Sequence, residues 1–303
     1  MGRPPIDEEL LAAMGRPTPS ELLPTLLEHV RRQAERRKPA ELLRQYERDA
    51  FVRPSAIDLR ATLEFDRVAL SLASAFEALL LAPLAPLGVC SVVSPTHQDR
   101  AVSTIRSSEV VSDPTNVLAL ECARRLLGDR RAHVRLCTIQ QVTRAQRFST
   151  RPGFSQHFRL FALAEAGSAT PEHGFEVAAI VDHVALFDRI MDGFEAMGCR
   201  FTARRVGLHA SDSAKICAVR VRERLAATLP KVEIHELPLE SNYYDGVRVL
   251  FGADDLEGNH VPFCDTGLFD WLGALTSNRR MRLICSGMGI QLVPLLFKPS
   301  SPG

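Results

Sequence analysis

The sequence predicts an α+β domain, a mostly antiparallel sheet flanked by helices, with a helical arm in front of it. Three observations carry this expectation. Two apolar, β-branched segments, 134–142 and 158–165, bracket a polar loop that contains Pro152 and Gly153, the pattern of two strands joined by a long connection. Long segments with helical spacing, 57–80, 117–127 and 175–197, are interspersed with shorter strand-like runs. Residues 1–50 read as helices of their own, which divides the chain into an arm, 1–50, and a core domain, 51–303.

In the arm, Ser20 can cap a helix whose apolar positions include Leu22, Leu23, Leu26, Leu27 and Val30. Pro39 stops or restarts it, and 40–46 reads as a second helix. Arg31, Arg32, Arg36, Arg37 and Lys38 make one basic run, either a solvated helix face or a dock for RNA or an acidic partner. In the core domain, 57–80 is a long helix and 89–93 a strand that ends at Pro95. Residues 117–127 form a helix, and the two hairpin strands follow. The helix 175–197 has Gly198 as its stop signal. Residues 201–208 alternate only weakly. Ser211 can cap a helix that ends before Pro230, and 232–237, 243–251 and 283–286 read as strands. Residues 290–297 fit helix or strand equally well.

With 46% hydrophobic and 24% charged residues, the chain has the composition of an ordinary globular protein. A formal net charge of +1 supplies no global field for nucleic acid. The seven cysteines show no metal-binding spacing and are odd in number, so buried free thiols in a cytoplasmic protein are expected. The longest apolar stretch, 68–89, contains Glu77 and is broken by Pro83 and Pro86, which argues against a membrane span. No basic-then-apolar signal opens the chain.

Several short motifs then carry the functional expectation. The predicted helix 57–80, the strand and Pro95 come first. Asp113 and Thr115 precede a helix, where a carboxylate and a hydroxyl can clamp an ammonium group or cap the helix. Arg144 and Gln146 open the hairpin loop, and His157, Arg159 and Phe161 close it. Tyr243 and Tyr244 are adjacent, so a regular strand would send them to opposite faces. Gly267, Phe269, Asp270 and Leu272 follow, and then Gly287 and Gly289.

In this order the motifs resemble those of class II aminoacyl-tRNA synthetases, most closely the histidyl-tRNA synthetases and their paralogue, the ATP phosphoribosyltransferase regulatory subunit. The match spans about 52–303. The resemblance implies a class II synthetase-like antiparallel sheet flanked by helices. It implies a homodimer built on the first element, an α-amino clamp at Asp113 and Thr115, and phosphate binding by Arg144. It further implies adenine contacts from Gln146 and Phe161, a contribution from Arg159, and a pocket wall of Tyr243 and Tyr244.

The departures matter as much. Val111 replaces an arginine of the family, Gln146 a glutamate, Leu239 the main catalytic arginine, and Leu292 the arginine that contacts the γ-phosphate. Leu163 and Gly167 replace polar side-chain partners. No metal site and no certain cofactor is expected. ATP with magnesium enters only if the chain is a retargeted ligase that recruits Arg248 or Arg282. No segment corresponds to an anticodon-binding domain, so tRNA charging is not expected. The expectation is therefore a non-adenylating amino-acid-binding protein, a homodimer that can join a catalytic subunit in a hetero-oligomer. The ligase and an interaction scaffold with a vestigial pocket are the alternatives.

Overall fold

A computed structural model describes residues 5–146 and 155–299. The arm comprises α1 (Glu8–Met14), α2 (Pro19–Glu35) and α3 (Pro39–Arg48), and none of its helical residues is buried. Thr18, rather than Ser20, caps α2. Its hydroxyl accepts from the Glu21 N–H, and the Glu21 carboxylate accepts from the Thr18 N–H.

The remaining helices are α4 (Leu59–Leu72), α5 (Pro114–Gly128), α6 (Gly174–Glu195), α7 (Lys215–Thr228), α8 (Trp271–Thr276) and the short α9 (Val293–Leu296). The strands are β1 (Glu77–Ala78), β2 (Leu84–Pro86), β3 (Ser108–Val110), β4 (Val134–Thr143) and β5 (His157–Ser168), followed by β6 (Thr202–Ala210), β7 (Glu233–Pro238), β8 (Val247–Asp254), β9 (His260–Phe269) and β10 (Met281–Met288). Eight of them form one sheet in the order β1-β4-β5-β10-β9-β8-β6-β7. It is antiparallel throughout its centre, with parallel pairs only at the two edges.

Side chains alternate across a strand, so this sheet has two different faces. One packs Phe161, Leu163, Val249, Phe251, Ile284 and Met288 against α4, α6 and α7. The other packs Leu136, Ala162, Ala164 and Leu283 against α5 and α8. Beyond α5 and α8 this second face is left uncovered, and the cavity lies there. No helix is long and apolar enough to cross a membrane among the described residues. All seven cysteines are buried and unpaired.

Several further expectations change. The helix of 57–80 ends at Leu72, because the chain then extends to pair Glu77 and Ala78 with Leu136 and Cys137 of β4. Residues 89–93 form a π-helical turn instead of a strand. Gly88 adopts φ 95°, and the carboxylate of Glu109 accepts from the N–H groups of both Gly88 and Cys90, at 2.9 Å each. The strand of 243–251 begins at Val247, since Gly246 turns the chain at φ 84°. Strand β9 is not among the expected strands, and it holds Pro262 and Gly267, two residue types that strands disfavour. Residues 290–297 resolve into a 3-10 turn and α9.

Candidate ligand-binding site

A cavity of about 740 Å³ opens on the uncovered face. Its floor follows from strand register. One cross-strand row is Leu250, Asp265, Gly287, Ala162, and the next is Arg248, Gly267, Cys285, Ala164. Small residues at the centre of both rows make the depression. A Cβ added at Gly287 would meet nothing within 4 Å, so that glycine opens directly into the space. A Cβ at Gly267 would come within 2.3 Å of the Tyr244 ring, so that glycine lets the tyrosine come down against the sheet.

The walls come from three segments. The start of α5 brings Asp113 and Thr115. The turn after Pro95 brings Arg100, and the segment before β8 brings Tyr243 and Tyr244. Asp113 Oδ1 accepts from the Thr115 N–H at 3.0 Å and from the Thr115 hydroxyl at 2.7 Å, which makes it the cap of α5. Its other oxygen lies 3.4 Å from the Arg144 guanidinium. Arg144 Nε donates to the Ser112 carbonyl at 2.8 Å, and its guanidinium rests over the Phe158 ring. Burial lowers the pKa of Arg144; Asp113 opposes this and the charge of Arg100 reinforces it.

At the far end, Arg248 grips Asp265 with two nitrogens, at 3.1 and 2.7 Å, and Tyr244 donates its hydroxyl to the same carboxylate at 2.7 Å. Arg159 is tied to Asp66 of α4. Cys285 lies on the floor, but burial, with Cys122 and Asp113 nearby, pushes its thiol well above the usual range. A thiolate is therefore not on offer at neutral pH.

Six of the eight expected residues meet here: Asp113, Thr115, Arg144, Arg159, Tyr243 and Tyr244 all line the cavity. The two tyrosines do not part to opposite faces. They stand before the strand, and their rings meet edge to face with centroids 5.0 Å apart. Tyr243 also packs on Trp271, the chain's one tryptophan. Phe161 is a correction. It shares a row with Phe251, Cys264 and Met288 on the opposite face, fully buried beside Phe187, and cannot stack on a ligand in this cavity. Phe158 and Leu160 take the cavity side of β5 instead. Gln146 is exposed and does not line the cavity; it adjoins the residues outside the description.

The replaced positions are also placed. Leu239 lies outside the cavity lining and its N–H donates to the Ala210 carbonyl. Leu292 lines the cavity. Leu163 faces α6, and Gly167 lies against the Phe175 ring. Arg282 pairs with Glu176 of α6 and is not part of the cavity lining. Arg100 was not foreseen, and no motif spacing marks it. Among the described residues no grouping of His, Cys, Asp and Glu could hold a metal ion.

Solved structures share this architecture. An ATP phosphoribosyltransferase regulatory subunit/histidyl-tRNA synthetase from Bacillus halodurans matches with a TM-score of 0.61 and 14% identity, over 80% of this chain and 81% of that one. Histidyl-tRNA synthetase from Nostoc matches at 0.58 and 13%, over 81% and 74%. The chain has the class II aminoacyl-tRNA synthetase-like fold. The histidyl-tRNA synthetase of S. aureus also matches, at 0.56 and 12% identity, over 77% and 64%. No family model matches the sequence, and no curated protein matches it. In the class II synthetase-like frame, the cavity lies on the face of the antiparallel sheet that α4, α6 and α7 leave open.

Proposed function

We propose that this protein is a non-adenylating relative of the synthetases that binds an amino acid or a related small molecule in this cavity and acts as a regulatory subunit. One observation carries the proposal: among the described residues, three of the four cations that line the cavity are already spent on the protein's own carboxylates. Arg144 faces Asp113, Arg159 faces Asp66 and Arg248 faces Asp265. Activating a carboxylate requires cations that hold metal-bound triphosphate and stabilise charge at the attacked phosphorus. Stripping a partly buried arginine from its partner costs on the order of 3 kcal/mol, because the carboxylate is left unpaired. The resemblance puts arginines of the family at the positions of Leu239 and Leu292; Leu292 lines the cavity and Leu239 lies outside its lining. The amino-acid end is better kept, with Asp113, Thr115 and two tyrosines around a floor of small residues.

The Bacillus halodurans neighbour is named as an ATP phosphoribosyltransferase regulatory subunit/histidyl-tRNA synthetase. For this chain the corresponding proposal is a homodimer that joins a catalytic subunit. Thermal denaturation with each free amino acid, and separately with magnesium–ATP, tests the reading. At least one amino acid raises the melting temperature by several degrees at saturation, and magnesium–ATP leaves it unchanged. Stabilisation by magnesium–ATP without any response to amino acids contradicts the proposal. That outcome favours a retargeted ligase, a reading supported by the presence of Arg248 at the cavity.

A further inference from the structure

Four guanidiniums face the cavity among the described residues, and three have a carboxylate partner. Arg100 is the exception: its side chain has no ion-pair or hydrogen-bond partner among the described residues, and it is partly buried in the cavity lining. Its position is set by its backbone. The residue ends the 3-10 turn Gln98–Arg100, its N–H donates to the His97 carbonyl, and its own carbonyl accepts from the Ala145 N–H at 2.8 Å. That last bond stitches the turn to the residue after Arg144. The turn is held further by Gln98, which donates to the buried Glu109 carboxylate at 2.7 Å. Arg100 is thus a cation carried on a fixed backbone, in a lining that otherwise presents neutral pairs.

We propose that Arg100 is the residue that holds the ligand's carboxylate, and that the cavity takes a small zwitterion with its anionic end at Arg100 and its ammonium end at Asp113. This deepens the amino-acid-binding reading and rests on it. Three features make the assignment chemical. A guanidinium is a planar fork that matches a carboxylate in two parallel hydrogen bonds. Arg100 lies close enough to Arg144 and Tyr243 for its charge to bear on both, so an anion placed there would relieve the repulsion between the two guanidiniums. Asp113 lines the same cavity, and its Oδ2, 3.4 Å from Arg144, has a further lone pair for an ammonium group, so the two charges of one α-amino acid meet complementary groups within one cavity. A triphosphate would need more than one free cation, and Arg100 alone does not supply that.

Trp271 provides a local reporter, since it packs on Phe269 and Tyr243 beside the cavity. Its fluorescence is titrated with each free amino acid and with the corresponding amino-acid amide, in wild type, Arg100→Ala and Arg100→Lys. The expected result is a saturable change with at least one amino acid, and binding of its amide about 10- to 100-fold weaker. Arg100→Ala weakens the acid by a similar factor and leaves the amide unchanged, so the difference between them disappears. Arg100→Lys restores part of it. Inorganic phosphate at the same concentration does not displace the amino acid. Equal binding of acid and amide in wild type overturns the role of Arg100 and leaves amino-acid binding standing. So does an Arg100→Ala variant that still discriminates. Displacement by phosphate overturns the assignment to a carboxylate. A wild-type protein that responds to no acid and no amide sinks both proposals together.

Discussion

Gly267 and Gly287 lie on neighbouring strands of the cavity floor, and the same methyl group would meet opposite fates at each. At Gly267 it collides with a ring that cannot retreat, because Tyr244 is held by Asp265 and by the aromatic cluster of Tyr243 and Phe269. Gly267→Ala is expected to cost about 1–3 kcal/mol by overpacking. Gly287→Ala enters open space and is expected to stay within about 1 kcal/mol of wild type. Urea denaturation of both variants checks the contrast; equal costs would show that the tyrosine does not lie on the floor. At this scale the sequence revealed residue types better than their orientation. Asp113, Arg144 and the tyrosine pair are chemically conspicuous, and the structure brings them together. Phe161 was misassigned because a strand turns its side by one residue. Only the pairing of Phe161 with Met288, 127 positions on, fixes which face it takes.

Between the elements, one buried polar chain ties the sheet to α6. Thr266 of β9 accepts from Ser286 of β10 at 2.8 Å, and Ser286 lies 2.7 Å from His183 of α6. His183 in turn faces Glu165 of β5, which also meets His133 and Arg135. Burial alone would raise the Glu165 carboxyl, but His183, Arg135 and His133 outweigh it and bring the pKa from 4.5 down to about 2. A depressed acid stabilises the fold above its unfolded value and loses that contribution as pH falls through its folded value. At about 1.4 kcal/mol per unit, Glu165 contributes on the order of 3 kcal/mol just above pH 4.5, where the histidines are protonated, and this is lost between about pH 4.5 and 2. Glu165→Gln should therefore be less stable than wild type near pH 5, with the two stabilities converging toward pH 2. Parallel curves from denaturation across that range would remove Glu165 from the acid response. The elements differ in how readable they were. The β4–β5 hairpin was legible because both strands are apolar runs around a polar loop. The turn at 89–93 was not, because a run of Val and Cys looks like a strand until Glu109, far along the chain, captures its N–H groups. Strand β9 was hidden by the glycine that the tyrosine needs.

For the molecule as a whole, the motif order made the fold readable where no single motif would have sufficed, and the cavity formed where those motifs converge. Assembly is a proposal of the same scale. Leu80, Leu84, Leu87 and Val92 are exposed around β1, β2 and the turn that follows, with Leu80 and Val92 at 98% and 85%. Exposed aliphatic side chains so concentrated in one stretch suit an interface with a second copy. Sedimentation velocity should find a dimer, and Leu84→Glu with Val92→Glu should sediment as a folded monomer; a dimer that persists in the double variant would place the contact elsewhere. Above assembly stands the central claim, that the carboxylates around this cavity have disarmed the cations an activating enzyme requires. Exchange of radiolabelled pyrophosphate into ATP, run with each amino acid in turn, tests it most directly. The account predicts no exchange above background in any of them. Amino-acid-dependent exchange that disappears in Arg248→Ala or Arg144→Ala would contradict it.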